Sequence, residues 1–206
     1  MNQIQKIDDG FTFHQFGPVL ANFKLSNKFI VELNKRGSNC HLDYKKNLAG
    51  HINNEYKFSD DDTKWFLEET KDIFSSYIKY IIFNSIHPSK KINGFKLESL
   101  WINFMKNGEF NPIHTHSGDI SFVIYLSVPD EIKSEEKNFQ GAGPGPGCIG
   151  FFYGEKSSSY KSEYNFIPNT GDMILFPASL RHYVTPFKSN VIRISVAGNM
   201  FFTYKT

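Results

Sequence analysis

The sequence predicts a mainly β fold with helices packed on the outside of an antiparallel barrel or sandwich. Three observations carry this. Apolar residues recur at helical spacing only in the first half of the chain. From Phe95 onward the period becomes that of a strand. Turn signals then interrupt the apolar runs so often that about eight short strands fit before the end.

Phe11 to Phe16 alternates and reads as a first strand, ended by Gly17-Pro18. Ser26 can cap a helix through about Lys35, with Phe29, Ile30 and Leu33 as its apolar stripe and Gly37 as its stop. Ser38 to Tyr56 is polar and loop-like, and holds His41 and His51 as surface histidines. Ser59 caps the clearest helix. Asp60, Asp61 and Asp62 stand at its positive end, and Trp65, Phe66, Ile73, Phe74, Tyr77, Ile78, Ile81 and Ile82 form its buried stripe. His87-Pro88 ends it.

Phe95 to Phe104 reads as a strand, followed by an Asn107-Gly108 turn. Ser121 to Val128 is the next strong strand, and Pro129 to Gln140 is a charged, solvated excursion. The glycine-proline stretch from Gly141 to Gly147 lacks a phosphate-loop lysine and a following helix, so it reads as a flexible loop near a site mouth. Cys148 to Tyr153, Tyr160 to Ile167, Met173 to Phe176, His182 to Thr185, Val191 to Val196 and Met200 to Tyr204 supply the remaining strands. A single domain over 1–206 is expected, with helical support over about 20–94 and a β core over about 95–206.

Composition narrows the partners. Aromatics make up 16% of the 206 residues, which is the profile of an ordered core, and a net charge of +2 forces no basic face. Nucleic-acid binding is therefore unsupported. Cys40 and Cys148 stand in no metal-type spacing and read as reduced thiols. No run is long enough to span a bilayer and the first residues do not read as a signal peptide, so a cytoplasmic location is expected.

The chemistry concentrates around His114-Thr115-His116. On a strand these two imidazoles face the same way and can share a metal. His182, just after a strand ends at Pro177, can supply a third nitrogen. Three nitrogens with open positions suit iron or another oxygen-activating first-row ion, whereas structural zinc usually takes four ligands including thiolates. Asp119, at a Ser-Gly turn, is an alternative carboxylate ligand that can replace or supplement one of the first two histidines. Arg193 lies in an apolar run and needs an anionic partner; with Ser195 on the same strand face it can grip a carboxylate.

These pieces, taken in order, resemble the 2-oxoglutarate- and Fe(II)-dependent oxygenases. The nearest likeness is to small bacterial and phage members similar to prolyl hydroxylases. The matching residues are Trp101-Ile-Asn103, Gly108 to Asp119, Ser121 to Leu126, Thr170 to Pro177, His182 to Phe187 and Arg193 to Asn199, with Leu48-Ala49-Gly50-His51 as a smaller piece. The resemblance implies a double-stranded β-helix (jelly roll, cupin-like) core, and Fe(II), 2-oxoglutarate and O2 as requirements. It implies His114, His116 and His182 as iron ligands, although His116 stands where most of the superfamily has Asp or Glu. It also implies Arg193 and Ser195 as holders of the 2-oxoglutarate C5 carboxylate, with Tyr125 and Asn103 on strands that line the same pocket. The activity implied is hydroxylation of a peptide or protein residue such as proline, with release of succinate and CO2, and in a phage this places the protein in the host cytoplasm. Two competing readings are a cupin-like three-histidine metalloenzyme independent of 2-oxoglutarate and a non-catalytic jelly roll. The loops near 35–56 and 129–147 are the candidates for choosing the substrate.

Overall fold

The computed structural model describes residues 17–84, 92–156 and 158–204. The strand expected at Phe11 to Phe16 and the helix end at His87 lie outside the described residues.

Two helices come first, as expected. Helix α1 (Asn27–Ser38) starts where the Ser26 hydroxyl accepts the Phe29 N–H at 3.3 Å. It runs through Gly37 instead of stopping there. That glycine is a packing residue, because a Cβ on it would collide with Ile102. Helix α2 (Asp60–Asn84) opens on a reciprocal cap: the Ser59 hydroxyl accepts the Asp62 N–H at 3.1 Å and donates to its carboxylate at 2.6 Å. Its Phe66, Phe74, Tyr77 and Ile78 are buried, while Ile82 is exposed. Arg36 ties the two helices together through an ion pair to Asp62 at 2.7 Å, with its guanidinium lying 4.2 Å above the Trp65 ring.

The stretch read as loop between the helices carries two short strands, β2 (Leu42–Asp43) and β3 (Glu55–Lys57), after an earlier β1 (Ala21–Lys24). Then come β4 (Ile92–Met105), β5 (Asn111–His114) and β6 (Ile120–Ser127). After a third helix follow β7 (Ile149–Phe152), β8 (Glu163–Phe166), β9 (Asp172–Pro177), β10 (Arg181–Val184) and β11 (Arg193–Tyr204). From β4 on there are eight strands among the described residues, the expected number. They form two antiparallel sheets. The larger runs β1-β9-β6-β11-β4-β3-β2 and the smaller β5-β10-β7-β8.

Two further expectations differ from the structure. The segment Pro129 to Gln140 is not merely a solvated excursion: Asp130–Lys137 forms helix α3 and buries Ile132 completely. One buried apolar residue in eight leaves no period to read. Its Glu135 accepts the backbone N–H groups of Lys188 and Ser189, both at 2.9 Å. The two C-terminal strands are one. Strand β11 pairs with β4 along its whole length and absorbs the irregularity in a bulge at Asn199/Met200.

Alternation along the central strands builds two cores. On β6, Ile120, Phe122, Ile124 and Leu126 face the helices, where Phe66 stacks on Phe122 at 5.4 Å. Tyr125 and Val123 face the small sheet, alongside Met105, Ile149, Phe151, Phe176 and Val184. A strand buried on both faces reads as a continuous apolar run, which is how Ser121 to Val128 looked in the sequence. Gly198 sits where β11 passes beneath Phe122. A Cβ there would lie 2.6 Å from both the Phe122 ring and the Ser99 carbonyl oxygen. Gly198→Ala is therefore expected to destabilise the fold by about 1–3 kcal/mol, read as a lower denaturation midpoint at unchanged slope. No described helix is long and apolar enough to cross a membrane.

Candidate active site

Strands β5 and β10 pair so that His114 lies directly opposite His182. His116 is not on the strand with His114, as the spacing had suggested: β5 ends at His114. What brings His116 in is the loop, whose His116 N–H donates to the Ala178 carbonyl at 2.9 Å, just before β10. The three rings then converge, with centroid separations of 4.2 Å for His114–His182, 4.8 Å for His114–His116 and 4.9 Å for His116–His182. One nitrogen from each lies within 4.8 Å of the others.

The ring orientations suit a cation. His114 Nδ1 donates to the Pro112 carbonyl at 2.7 Å, and His182 Nδ1 donates to the Leu180 carbonyl at 2.9 Å. Each is thereby held in the tautomer that leaves Nε2 as a lone pair. Yet the His182 Nε2 lies only 3.1 Å from His116 Nε2. Protonation is not the remedy. Burial, helped by the neighbouring imidazoles, pushes the pKa of His182 down to about 3 and that of His116 to about 4, and burial lowers His114 as well. Three neutral, converging donors fit a first-row metal ion. Phe151 and Phe176 pack against His182 with ring separations of 5.9 and 4.7 Å, which holds it in place.

The structure does not bring Asp119 to this cluster. Its carboxylate accepts the Phe202 N–H at 2.7 Å, and its own N–H donates to the Met200 carbonyl at 2.8 Å. Asp119 fastens the loop to β11 instead. Nor do His41 and His51 join: His41 is exposed, and His51 stacks on Phe110 at 4.7 Å.

Arg193, Ser195, Tyr125 and Asn103 line the same cavity as the three histidines. Register explains it. Ser195 pairs with Asn103 on one side and Tyr125 on the other, so three side chains form one row across β4, β11 and β6. Asn103 Nδ2 donates to the Ser195 hydroxyl at 3.3 Å. Arg193, two residues before Ser195, takes the next inward position on β11.

Arg193 is 3% exposed and has no acidic partner among the described residues. Its guanidinium donates to the Gly147 carbonyl at 3.0 Å and to the Met105 sulfur at 2.8 Å, while Nε finds no protein acceptor. The stretch from Gly141 to Gly147, expected at the site mouth, thus delivers its last carbonyl to the buried end. Tyr125 lies beneath the guanidinium with its ring centre 5.6 Å away, and burial pushes its phenol up to about 12. Desolvation lowers the arginine's own pKa. A buried cation without a counter-anion is costly. A carboxylate-bearing ligand meets that need, which is the fit that 2-oxoglutarate requires.

Sequence reading missed two cavity residues. Glu55, on β3, pairs with Asn103 and so extends the Ser195 row by one strand. It is 2% exposed, and burial followed by repulsion from Glu109 raises its carboxyl pKa to about 8. Asn111, at the start of β5, lines the same wall. Nothing in a polar, loop-like stretch marked Glu55, since β3 is only three residues long.

Comparison with known proteins agrees with this geometry. No curated protein sequence matches the chain. Among solved structures, the chain superposes on a Pseudomonas putida prolyl-4-hydroxylase with a TM-score of 0.55 at 12% identity, covering 91% of this chain and 93% of that one. A viral collagen prolyl hydroxylase from Paramecium Bursaria Chlorella virus-1, solved with 2OG, gives 0.52 at 14% identity over 88% and 94%. A Trichoplax adhaerens prolyl hydroxylase in complex with a hypoxia inducible factor peptide fragment gives 0.56 at 11% identity over 89% and 82%. At such identities the likeness shows the fold, the double-stranded β-helix with N-terminal helices. The sequence itself matches the family described as "Putative 2OG-Fe(II) oxygenase" over residues 99–199, a span that contains the three clustered histidines and Arg193. Over residues 99–199 the chain thus matches the 2-oxoglutarate- and Fe(II)-dependent oxygenase family, and its fold agrees.

Proposed function

We propose that the chain is a dioxygenase that hydroxylates a residue of a peptide or protein, with His114, His116 and His182 as its Fe(II) ligands and Arg193 with Ser195 as the grip on the C5 carboxylate of 2-oxoglutarate. One observation supports this above the rest. Three neutral imidazoles converge in the same cavity as a buried guanidinium that lacks an acidic partner. When bound, the iron and 2-oxoglutarate couple oxidative decarboxylation, with release of succinate and CO2, to insertion of oxygen into a substrate C–H bond.

The protein's own part is binding and placement. His114 and His182 hold their Nε2 lone pairs toward one point because backbone carbonyls fix the other ring nitrogen. Arg193 offers a flat pair of donors to one carboxylate, and the Ser195 hydroxyl stands on the same face. Tyr125, Phe176 and Ile149 surround these groups with apolar surface, which strengthens every charge contact inside. A three-histidine enzyme without 2-oxoglutarate is disfavoured, because it leaves the Arg193 charge buried with nothing to offset it.

The direct test is succinate formation from 2-oxoglutarate by the purified protein with Fe(II), with and without candidate peptides. Turnover that depends on both Fe(II) and 2-oxoglutarate is expected. Absence of turnover together with absence of metal-dependent 2-oxoglutarate binding sinks the reading.

A further inference from the structure

Away from Arg193 the cavity wall changes character, where the row that starts at Ser195 continues through Asn103 to Glu55 and Asn111 stands beside it. Three oxygens there have no protein hydrogen-bond donor and are fully buried: Glu55 Oε2, Asn103 Oδ1 and Asn111 Oδ1. Glu55 and Asn111 are neighbours across Gly50, where a Cβ would run into Asn111 and come within 3.4 Å of Glu55 Oε1. Buried acceptors without donors cost free energy, so a group of three in one cavity points to a ligand that brings donors. 2-Oxoglutarate does not meet the need of Glu55. Its two carboxylates and its ketone are all acceptors, which suit Arg193 and the amide N–H groups but bring no donor to the Glu55 carboxyl. A peptidyl proline cannot be that residue either, since its ring carries no N–H.

The charges agree. Glu109 stands close enough to repel Glu55, and both of its own oxygens are taken: Oε1 by the Asn53 backbone and side-chain N–H groups at 3.0 and 2.7 Å, Oε2 by the Lys106 N–H at 2.7 Å. Arg193 is the only Lys or Arg among the described residues lining the cavity. The cavity continues outward. Trp101, His114, His116, Leu48 and Ala49 line both it and an outer groove, where Tyr44 and Trp101 offer aromatic surface and Glu98 a carboxylate. Aromatic rings with carboxylates suit a nitrogen cation on its way in.

We propose that the residue presented to the metal centre carries a nitrogen cation, a lysine-type ammonium or arginine-type guanidinium, and that Glu55 with Asn103 and Asn111 receives its N–H groups. This rests on the oxygenase reading above and narrows its substrate class. Glu55 is a specificity residue here. In the free protein its carboxyl keeps a proton at neutral pH, and one proton cannot serve three oxygens. Arrival of the cation ionises it and completes the ion pair.

The test uses four small probes: the N-acetyl methylamides of lysine, arginine, norleucine and proline. Binding to the full chain is measured by calorimetry, with and without Mn(II) plus 2-oxoglutarate, and succinate formation is followed with Fe(II). The lysine or arginine probe is expected to bind about tenfold or more tighter than the norleucine and proline probes, and to stimulate succinate formation selectively. Glu55→Gln, nearly isosteric, is expected to erase that preference in both binding and succinate stimulation. Equal or better binding of norleucine or proline overturns the inference while metal-dependent succinate formation leaves the oxygenase reading intact. A cation preference that survives Glu55→Gln overturns the role of Glu55. A Glu55-dependent preference in a protein that makes no succinate upholds the cavity's selectivity and removes the oxygenase reading instead.

Discussion

His182→Ala is expected to lower Fe(II)- and 2-oxoglutarate-dependent succinate formation by more than the roughly 10–100-fold that losing a group behind a metal ligand costs. His182 is the hub of the cluster: it touches both other imidazoles and is only 4% exposed. Removing it leaves two nitrogens and opens a gap against Phe151 and Phe176. A second readout separates loss of metal from loss of fold. Metal that binds only the native state raises its stability by mass action. Added Co(II) should therefore raise the melting temperature of the wild type and leave that of His182→Ala where it was. His41→Ala, at an exposed position outside the cluster, should behave as the wild type in both assays. Equal turnover by His182→Ala and wild type removes the metal assignment.

The histidine cluster was legible because its parts lie in strong local patterns. His114 ends a short strand before a Ser-Gly turn, and His182 follows one that ends at Pro177, so both positions could be placed from turn chemistry. His116 joins the cluster by a route the local pattern does not show. The His-x-His spacing implies a shared strand face, whereas β5 ends at His114 and a backbone bond to Ala178, more than sixty residues away, fixes the loop that carries the ring. Long-range pairing of that kind leaves no trace in the local pattern. Arg193 and Ser195 were legible for the opposite reason: a charge inside an apolar run is conspicuous. Glu55 was invisible because its burial comes from pairing with Asn103, on a strand far along the chain. A glutamate in a polar loop looks like any other. The same limit applied to α3, held by one buried isoleucine, and to Gly37, whose packing against Ile102 outweighed its tendency to end a helix.

Arg193→Met is expected to separate binding from stability. Among the described residues the guanidinium is the one buried Lys or Arg cation of the cavity, and its hydrogen-bond acceptors are a carbonyl and a thioether, both uncharged. Charge-assisted hydrogen bonds contribute about 1.5–3 kcal/mol each, so losing a two-pronged grip on a carboxylate should raise the KM for 2-oxoglutarate by roughly 10²–10⁴-fold. At saturating 2-oxoglutarate much of kcat should return if the proposed grip is on the carboxylate remote from the metal. The free protein should respond in the other direction. A buried cation with no counter-charge costs folding free energy, and methionine fills a similar volume without that cost. Its denaturation midpoint should rise, a gain in stability at the expense of function. Saturating 2-oxoglutarate with Mn(II) should then stabilise the wild type and leave Arg193→Met nearly unmoved. Arg193→Lys distinguishes charge from shape: a point charge restores attraction but not the planar fork, so its KM should fall between the other two. An unchanged KM in Arg193→Met means that the carboxylate is held elsewhere. A lowered midpoint means that the guanidinium is a structural pillar, already satisfied by Gly147 and Met105, and that its burial implies no ligand.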